Sequence, residues 1–261
     1  MRNLIINADD FGMSEAVNLG VIKGVQDGVV SSATIMVNMP KAEHAFRLAK
    51  EIPDLFIGLH ANFVLGEPCA QPSQIPSIVD QNGCFYRSSD YACGKRYFIY
   101  QEIKIELAAQ MERFKVLRGH YPEHIEPHAA GGKEIAEVFY SIAKEYGIHT
   151  SLDLMLNNSF RSLEGYQKTV IPYQEEQILF YMKYGLQVED FLEDKFGILE
   201  QDPNTVMELH FHPGYLDQFV LEHSSMTSVR CCDLDTLCDS RVSNWLKKNN
   251  INCIDFRDLK L

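Results

Sequence analysis

The sequence predicts an α/β protein in which about seven strand–helix units close into one barrel-like domain. Three observations carry this. Short apolar stretches alternate with amphipathic ones, opening in the order β-α-β-α-β. The stretches read as strands are apolar nearly throughout, as expected of parallel strands covered on both faces. Acidic and imidazole side chains fall repeatedly at the ends of these strands, the rim where a parallel barrel gathers its working groups.

Taken in order, Leu4 to Ala8 is the first strand. Ser14 can cap a helix running to about Gln26, with Val17, Val21 and Val25 on one stripe and Asp27-Gly28 as its stop. "VVSSATIMVN" (29–38) reads as the second strand, and Pro40 opens a helix from Lys41 to about Lys50. "LFIGLHANFV" (55–64) is the third strand. Residues 66–98 break the rhythm with Pro68, Pro72, Pro76 and "DQNG". They form an insertion whose "IVDQNGCFYR" suits a small hairpin and whose aromatic residues suit a substrate-facing wall or a packed excursion.

Gln101 to Leu117 is helical, with Ile103, Leu107, Met111 and Phe114 as its buried stripe. A short strand over Glu123–Glu126 leads into "PHAAGG"; Lys133 to Tyr146 is a helix ended by Gly147, and "IHTSL" is a strand. Residues 153–187 are read as a second insertion. A short helix within Val188–Leu199, the strand "TVMELHFHPG", helices over Asp233–Ser240 and Arg241–Lys248, and a last strand "INCIDF" complete the chain. No linker divides residues 1–261, which reads as one domain. Strand order is invisible at this level, so an open doubly wound sheet stays as the alternative.

Composition narrows the function. The chain has 261 residues, 46% of them apolar, enough for a large core. The net charge of −12, with no basic patch, argues against nucleic acid and against an anionic membrane surface. Seven scattered cysteines without a CxxC pair read as free thiols. No apolar run approaches the roughly 18 residues of a membrane span, and the N-terminus lacks the pattern of a secretory leader. A cytoplasmic protein is expected. The first turn has no GxGxxG, so dinucleotide binding has no support.

"NADDFG" (7–12) places two adjacent carboxylates at the end of a strand. Like charges this close repel unless something positive sits beside them, and a cation is the natural partner. Asp9 and Asp10 end the first strand, His60 lies near the end of the third, His128 follows the short strand near 125, and His210 and His212 end the strand "TVMELHF". In a parallel barrel all of these share one rim. Carboxylate and imidazole donors suit a borderline ion such as zinc, and His argues mildly against Mg²⁺. If Asp10 holds the ion, Asp9 is left to accept a proton. Both can serve one site only if the chain turns at Asp10, which Phe11-Gly12 permits. Asn7 is either a supporting residue or simply strand. His212, held on the turn formed with Pro213-Gly214, can protonate a leaving amine. His210 either orients His212 or fills space.

"NADDFG", "GLH" (58–60), the His-x-x-x-His element at 124–128 and "HPGY" (212–215) together resemble the YdjC-like carbohydrate deacetylase family, whose best-known members act on chitooligosaccharides. The resemblance extends over nearly the whole chain, including "VNLGVIKGVQDGVVSSATIMVN", "VRCCDLDTL" and the terminal "FRDL". It implies an irregular (β/α) TIM-like barrel that often forms homodimers and binds one divalent ion, Zn or Mg. It matches Asp10, His60 and His128 to the metal ligands, Asp9 to the base and His212 to the acid. Arg230 and Asp233 match an Arg-x-x-Asp/Glu pair, read as rim or orienting residues. The sequence departs from the family's usual "DSHHHVH": Glu126 stands for Asp, and Ala130 and Gly132 for two histidines. The implied reaction is metal-dependent hydrolysis of the acetamide of a small N-acetylated sugar, releasing acetate without a Ser or Cys nucleophile. The alternatives are a metal-dependent hydrolase of another amide or ester, a metal-assisted phosphatase, and a non-catalytic sugar-binding protein.

Overall fold

The computed structural model describes residues 2–150, 169–170, 175–203 and 206–259. The strands are β1 (Arg2–Phe11), β2 (Ser32–Ile35), β3 (Phe56–Asn62), β4 (His124–His128), β5 (His149–Thr150), β6 (Thr169–Val170), β7 (Val206–Phe211) and β8 (Ile251–Cys253). The helices are α1 (Glu15–Asp27), α2 (Ala42–Ala49), α3 (Ser88–Ala92), α4 (Tyr100–Arg118), α5 (Lys133–Tyr146), α6 (Glu175–Tyr184), α7 (Val188–Leu192), α8 (Gln218–His223), α9 (Ser228–Cys238) and α10 (Ser240–Lys248).

One sheet runs β5-β4-β3-β2-β1-β7-β6, with β8 paired to the start of β1, and every strand pairing is parallel. The predicted α/β architecture of about seven parallel strands is therefore what forms. The sheet also curls strongly. β4 and β7 are separated on the path by β3, β2 and β1, so in a flat sheet they would lie about 19 Å apart at about 4.8 Å per strand step. Yet His210 Nδ1 on β7 lies 3.1 Å from Glu126 Oε2 on β4. Among the described residues β5 and β6 end the path and do not pair with each other.

Alternation along each strand separates two environments. Leu4, Ile6 and Ala8 of β1, Ile125 of β4, and Leu209 and Phe211 of β7 join the main core with the helices. The opposite face is the inner one. It begins with a small apolar plug of Ile5, Phe56, Val206, Ile254 and Phe256. Above the plug it turns polar: Asn7 and Asp9 on β1, His124, Glu126 and His128 on β4, Glu208 and His210 on β7. His124 stacks on Phe256 at 3.6 Å between ring centres. Gly58 of β3 makes room for it, since a Cβ there would lie 2.8 Å from His124 Nδ1.

Most predicted elements form, with shifted ends. The strand expected over 29–38 is confined to Ser32–Ile35, and the one expected over 123–126 is His124–His128. The helix expected from Asp233 begins earlier, at Ser228, which places Arg230 and Asp233 together in its first turns. Helix α8 was not anticipated. The last strand stops at Cys253, and Phe256–Asp258 is a 3-10 turn capped by Asp255. Residues 151–152 of the expected strand "IHTSL" and, within the second insertion, 153–168 and 171–174 lie outside the described residues.

The first insertion leaves β3 through Asn62, whose Oδ1 accepts from the N–H groups of Val64 and Leu65. Polar groups of α4 hold it down: Gln110 pairs with both backbone groups of Asn62, and Glu106 accepts from Cys69 and Ala70. The expected hairpin reduces to a single bridge between Val79 and Phe85.

Candidate metal and catalytic site

Asp9 and Asp10 project toward one place because the backbone turns left-handed at Asp10, with φ 65°. The β1–β2 register slips between Ala8 and Phe11 at the same point. A regular strand would have sent the two carboxylates to opposite faces. Gly12, at φ 93°, continues the turn, and a Cβ there would lie 3.0 Å from Met36 O.

Asp10, His60 and His128 converge. Asp10 Oδ1 lies 3.0 Å from His128 Nδ1 and 3.4 Å from His60 Nε2, and the two ring nitrogens are 3.1 Å apart. Donors around a cation at about 2.1 Å, at angles between octahedral and tetrahedral, are separated by about 3.0–3.4 Å. The three atoms have the spacing of one coordination face. Asp10 Oδ1 is buried and has no donor aligned to it, which also suits a ligand atom. The far nitrogen of His60, Nδ1, lies 3.0 Å from Glu126 Oε1. The contact is ionic, without hydrogen-bond alignment, and a carboxylate behind an imidazole raises its strength as a donor. Burial alone would lower His60, but Asp9, Asp10 and Glu126 lift it to about 10, a sign of how strongly this pocket favours positive charge. The donor set fits a borderline divalent cation.

The second oxygen of Asp10 is taken by Arg230, whose guanidinium nitrogen approaches to 2.6 Å. Burial works to raise the Asp10 carboxyl, but Arg230, His128 and His60 together hold it well below the ordinary carboxylate range. Arg230 is almost fully buried and reaches the inner site from α9, so of the two readings, rim or orienting, its place is not the rim. Asp233, one turn further along α9, is also buried. It accepts from the backbone N–H of His212 at 2.9 Å, from Leu186 N–H at 2.9 Å and from the Tyr181 hydroxyl.

His212 is thus held by its backbone and by its ring. Tyr181 gives its proton to Asp233, so its oxygen accepts from His212 Nδ1, 3.1 Å away. That leaves His212 Nε2 facing Asp9 Oδ2 at 3.8 Å. Burial pushes His212 down to about 4 despite the nearby carboxylates, so the ring is neutral at pH 7. The "HPGY" turn is set by close packing. Gly214 N–H donates to Arg230 O, Tyr215 N–H donates to Ala16 O, and a Cβ on Gly20 of α1 would fall 2.4 Å from Gly214 Cα.

Asn7 is a supporting residue. Its Nδ2 contacts Asp9 Oδ1 at 2.7 Å, Thr34 Oγ1 at 2.9 Å and Glu126 Oε1 at 3.2 Å, while its Oδ1 accepts from Ser32. His210 neither orients His212 nor fills space. It lies against Asp9, Glu126 and Glu208. Sequence reasoning passed over Glu126, Glu208, Thr34 and Tyr181 as site residues. For two of them a signal existed: Glu126 precedes His128 by two residues and Glu208 precedes His210 by two, the spacing of one strand face. Tyr181 lies in the stretch read as insertion and had none.

Asp9, Asp10, His60, His128, His212 and Arg230 are among the residues that line a cavity of about 670 Å³. Arg87, Ser88 and Ser89 bring the first insertion to its wall, and Arg87 donates to His223 O across it at 2.9 Å. The aromatic wall is corrected. Phe85 is core, Tyr91 stacks on Phe98 at 4.0 Å, and Arg96 covers Tyr86, so these rings satisfy one another away from the cavity.

The family model described as YdjC-like protein matches residues 3–248. The chain belongs to this YdjC-like family. It is similar to carbohydrate deacetylase 2 of Listeria innocua, with 31% identity over 98% of each chain. The carbohydrate deacetylase of Brevibacillus brevis is 34% identical, over 98% of this YdjC-like chain and 99% of the relative. A crystal structure from Enterococcus faecalis, described as a candidate cellobiose-phosphate cleavage protein, superposes with a TM-score of 0.81. It has 24% identity and covers 98% of both chains, a likeness of fold. No helix among the described residues is long and apolar enough to cross a membrane.

Proposed function

We propose that this YdjC-like protein is a metal-dependent carbohydrate N-deacetylase. Its reaction is hydrolysis of the acetamide of an N-acetylated sugar of the N-acetylglucosamine or chitooligosaccharide type, releasing acetate. The observation that carries the reading is one juxtaposition. A three-donor face (Asp10, His60, His128) adjoins an opposed pair, Asp9 Oδ2 and His212 Nε2, at the floor of a cavity able to hold a small sugar. The names of the relatives point the same way.

Asp10, His60 and His128 would hold the ion, with Arg230 and Glu126 fixing the first two. A divalent ion bound there would polarise the amide carbonyl and make water a stronger acid. Asp9 Oδ2 takes the proton of the attacking water, since Oδ1 is already engaged by Asn7. His212 is neutral at rest and has an open Nε2, so it collects a proton during the cycle and delivers it to the departing sugar nitrogen. The 3.8 Å between Oδ2 and Nε2 lets one proton serve both steps after a small movement. Tyr181 and Asp233 keep the ring in the orientation that exposes Nε2.

The test is acetate release from N-acetylglucosamine, its 6-phosphate and short chitooligosaccharides, with and without added Zn²⁺ or Mg²⁺. Ion-dependent acetate from at least one of them is expected. No acetate from any of them under either ion would refute the assignment.

A further inference from the structure

Asp9 has two oxygens, and they live in different surroundings. Oδ2 looks toward His212. Oδ1 is met by Asn7 Nδ2 at 2.7 Å, His210 Nδ1 at 3.2 Å and Thr34 Oγ1 at 3.3 Å. We propose that His210 is a positioning residue for Asp9: it ties the Oδ1 edge to Glu126, is anchored from behind by Glu208, and so leaves Oδ2 alone to face the substrate. The proposal rests on the deacetylase reading, in which Asp9 takes a proton.

The ring is surrounded in a way that fixes its chemistry. His210 Nδ1 stands 3.2 Å from Asp9 Oδ1 and 3.1 Å from Glu126 Oε2, and Nε2 stands 2.7 Å from Glu208 Oε1. A carboxylate oxygen accepts, so a nitrogen at hydrogen-bond distance from one carries a hydrogen. A bare nitrogen on either edge would set lone pair against lone pair in a buried place. Nδ1 pairs with Asp9 Oδ1, Nε2 lies against Glu208 Oε1 without hydrogen-bond alignment, and the imidazolium is the cation that three buried carboxylates surround. Without it, Asp9 and Glu126 would face each other across the inner face with no cation between them, and only Asn7 and Thr34 would hold the Oδ1 edge.

The arrangement also joins two functions. Glu126 presents Oε2 to His210 and Oε1 to His60 Nδ1, 3.0 Å away. One carboxylate thus links the orientation of a metal-ligand candidate on β3 to that of the proton acceptor on β1. Glu208 and His210 share the inner face of β7, so the same strand that carries His212 on its end braces Asp9 from below.

Histidine-selective ¹⁵N labelling of the full-length protein, with and without zinc, reads the ring directly, with His210→Gln as the assignment control. Two protonated nitrogens at pH 7 are expected, and a ring with one bare nitrogen overturns the proposal. Kinetics read the consequence. In His210→Leu, kcat for acetate release from a short chitooligosaccharide should fall about 10²-fold or more, with KM and calorimetric zinc affinity within about threefold. His210→Gln keeps a donor toward Asp9 and should recover to about three- to tenfold below the native kcat. A leucine variant with native turnover, or a glutamine variant no better than leucine, overturns the assignment. If the leucine variant does not fold, the glutamine variant decides alone: a reduced kcat at unchanged KM and zinc affinity is expected, and native kcat overturns. If the native protein releases no acetate from any N-acetyl sugar, the deacetylase reading fails, while the nitrogen signature still decides how His210 is held.

Discussion

Arg230 and Asp10, 220 residues apart in the chain, meet at 2.6 Å with both side chains almost fully buried. The pair joins the first turn of the sheet to α9 and sets one oxygen of Asp10 so that the other points at His60 and His128. Breaking a buried pair by removing one partner typically costs about 3–5 kcal/mol. Arg230→Leu should lower the unfolding free energy by about that much at pH 7, measured by urea denaturation. The sign with pH follows from the depressed Asp10 carboxyl. Its contribution is fully present above the unfolded value near 3.8 and is lost as pH falls through the lower folded value. The gap between native and variant should therefore hold from pH 7 to about 4 and narrow below it. A gap that widens in acid would contradict the pairing.

The two adjacent carboxylates should separate cleanly by function. Asp9→Asn should leave zinc binding nearly intact and cut turnover by about 10² to 10⁴, the scale of lost proton transfer. Asp10→Asn should cost the metal. Zinc calorimetry beside acetate-release kinetics distinguishes them, and equal loss of zinc in both would show the pair to be misassigned.

Glu126 should tune the ion through His60. Removing the carboxylate behind a metal-bound imidazole commonly weakens affinity by about 10–100-fold. Glu126→Ala should do so for zinc by competition with a chelator. Native affinity in that variant would detach Glu126 from the metal centre.

His212 should matter more for poor leaving groups than for good ones. An amine leaves only once protonated, whereas a nitrophenolate needs no acid. His212→Ala should strongly reduce kcat/KM on an N-acetyl sugar and far less on a nitrophenyl acetate at matched zinc occupancy. Similar losses on both substrates would leave His212 as an orienting group rather than a proton donor.

The sequence by itself determined the alternation of elements, the parallel α/β class and the strand ends where Asp9, Asp10, His60, His128 and His212 lie. These follow from local rules: periodicity marks strand and helix, and Ser14 and Gly147 mark helix ends. Tertiary structure decided what lies between those residues. The left-handed turn at Asp10 brings both carboxylates to one side. The curl of the sheet sets β4 opposite β7, and only then do Glu126 and His210 touch. The packing of α9 delivers Arg230 to Asp10, and α6 delivers Tyr181 to His212. The physical reason is one of range. A strand or a cap is written in neighbours a few residues apart. A buried cluster of opposite charges is stable only where distant segments are folded against each other and water is excluded, and the pairing of strands and helices that does this is a property of the whole chain.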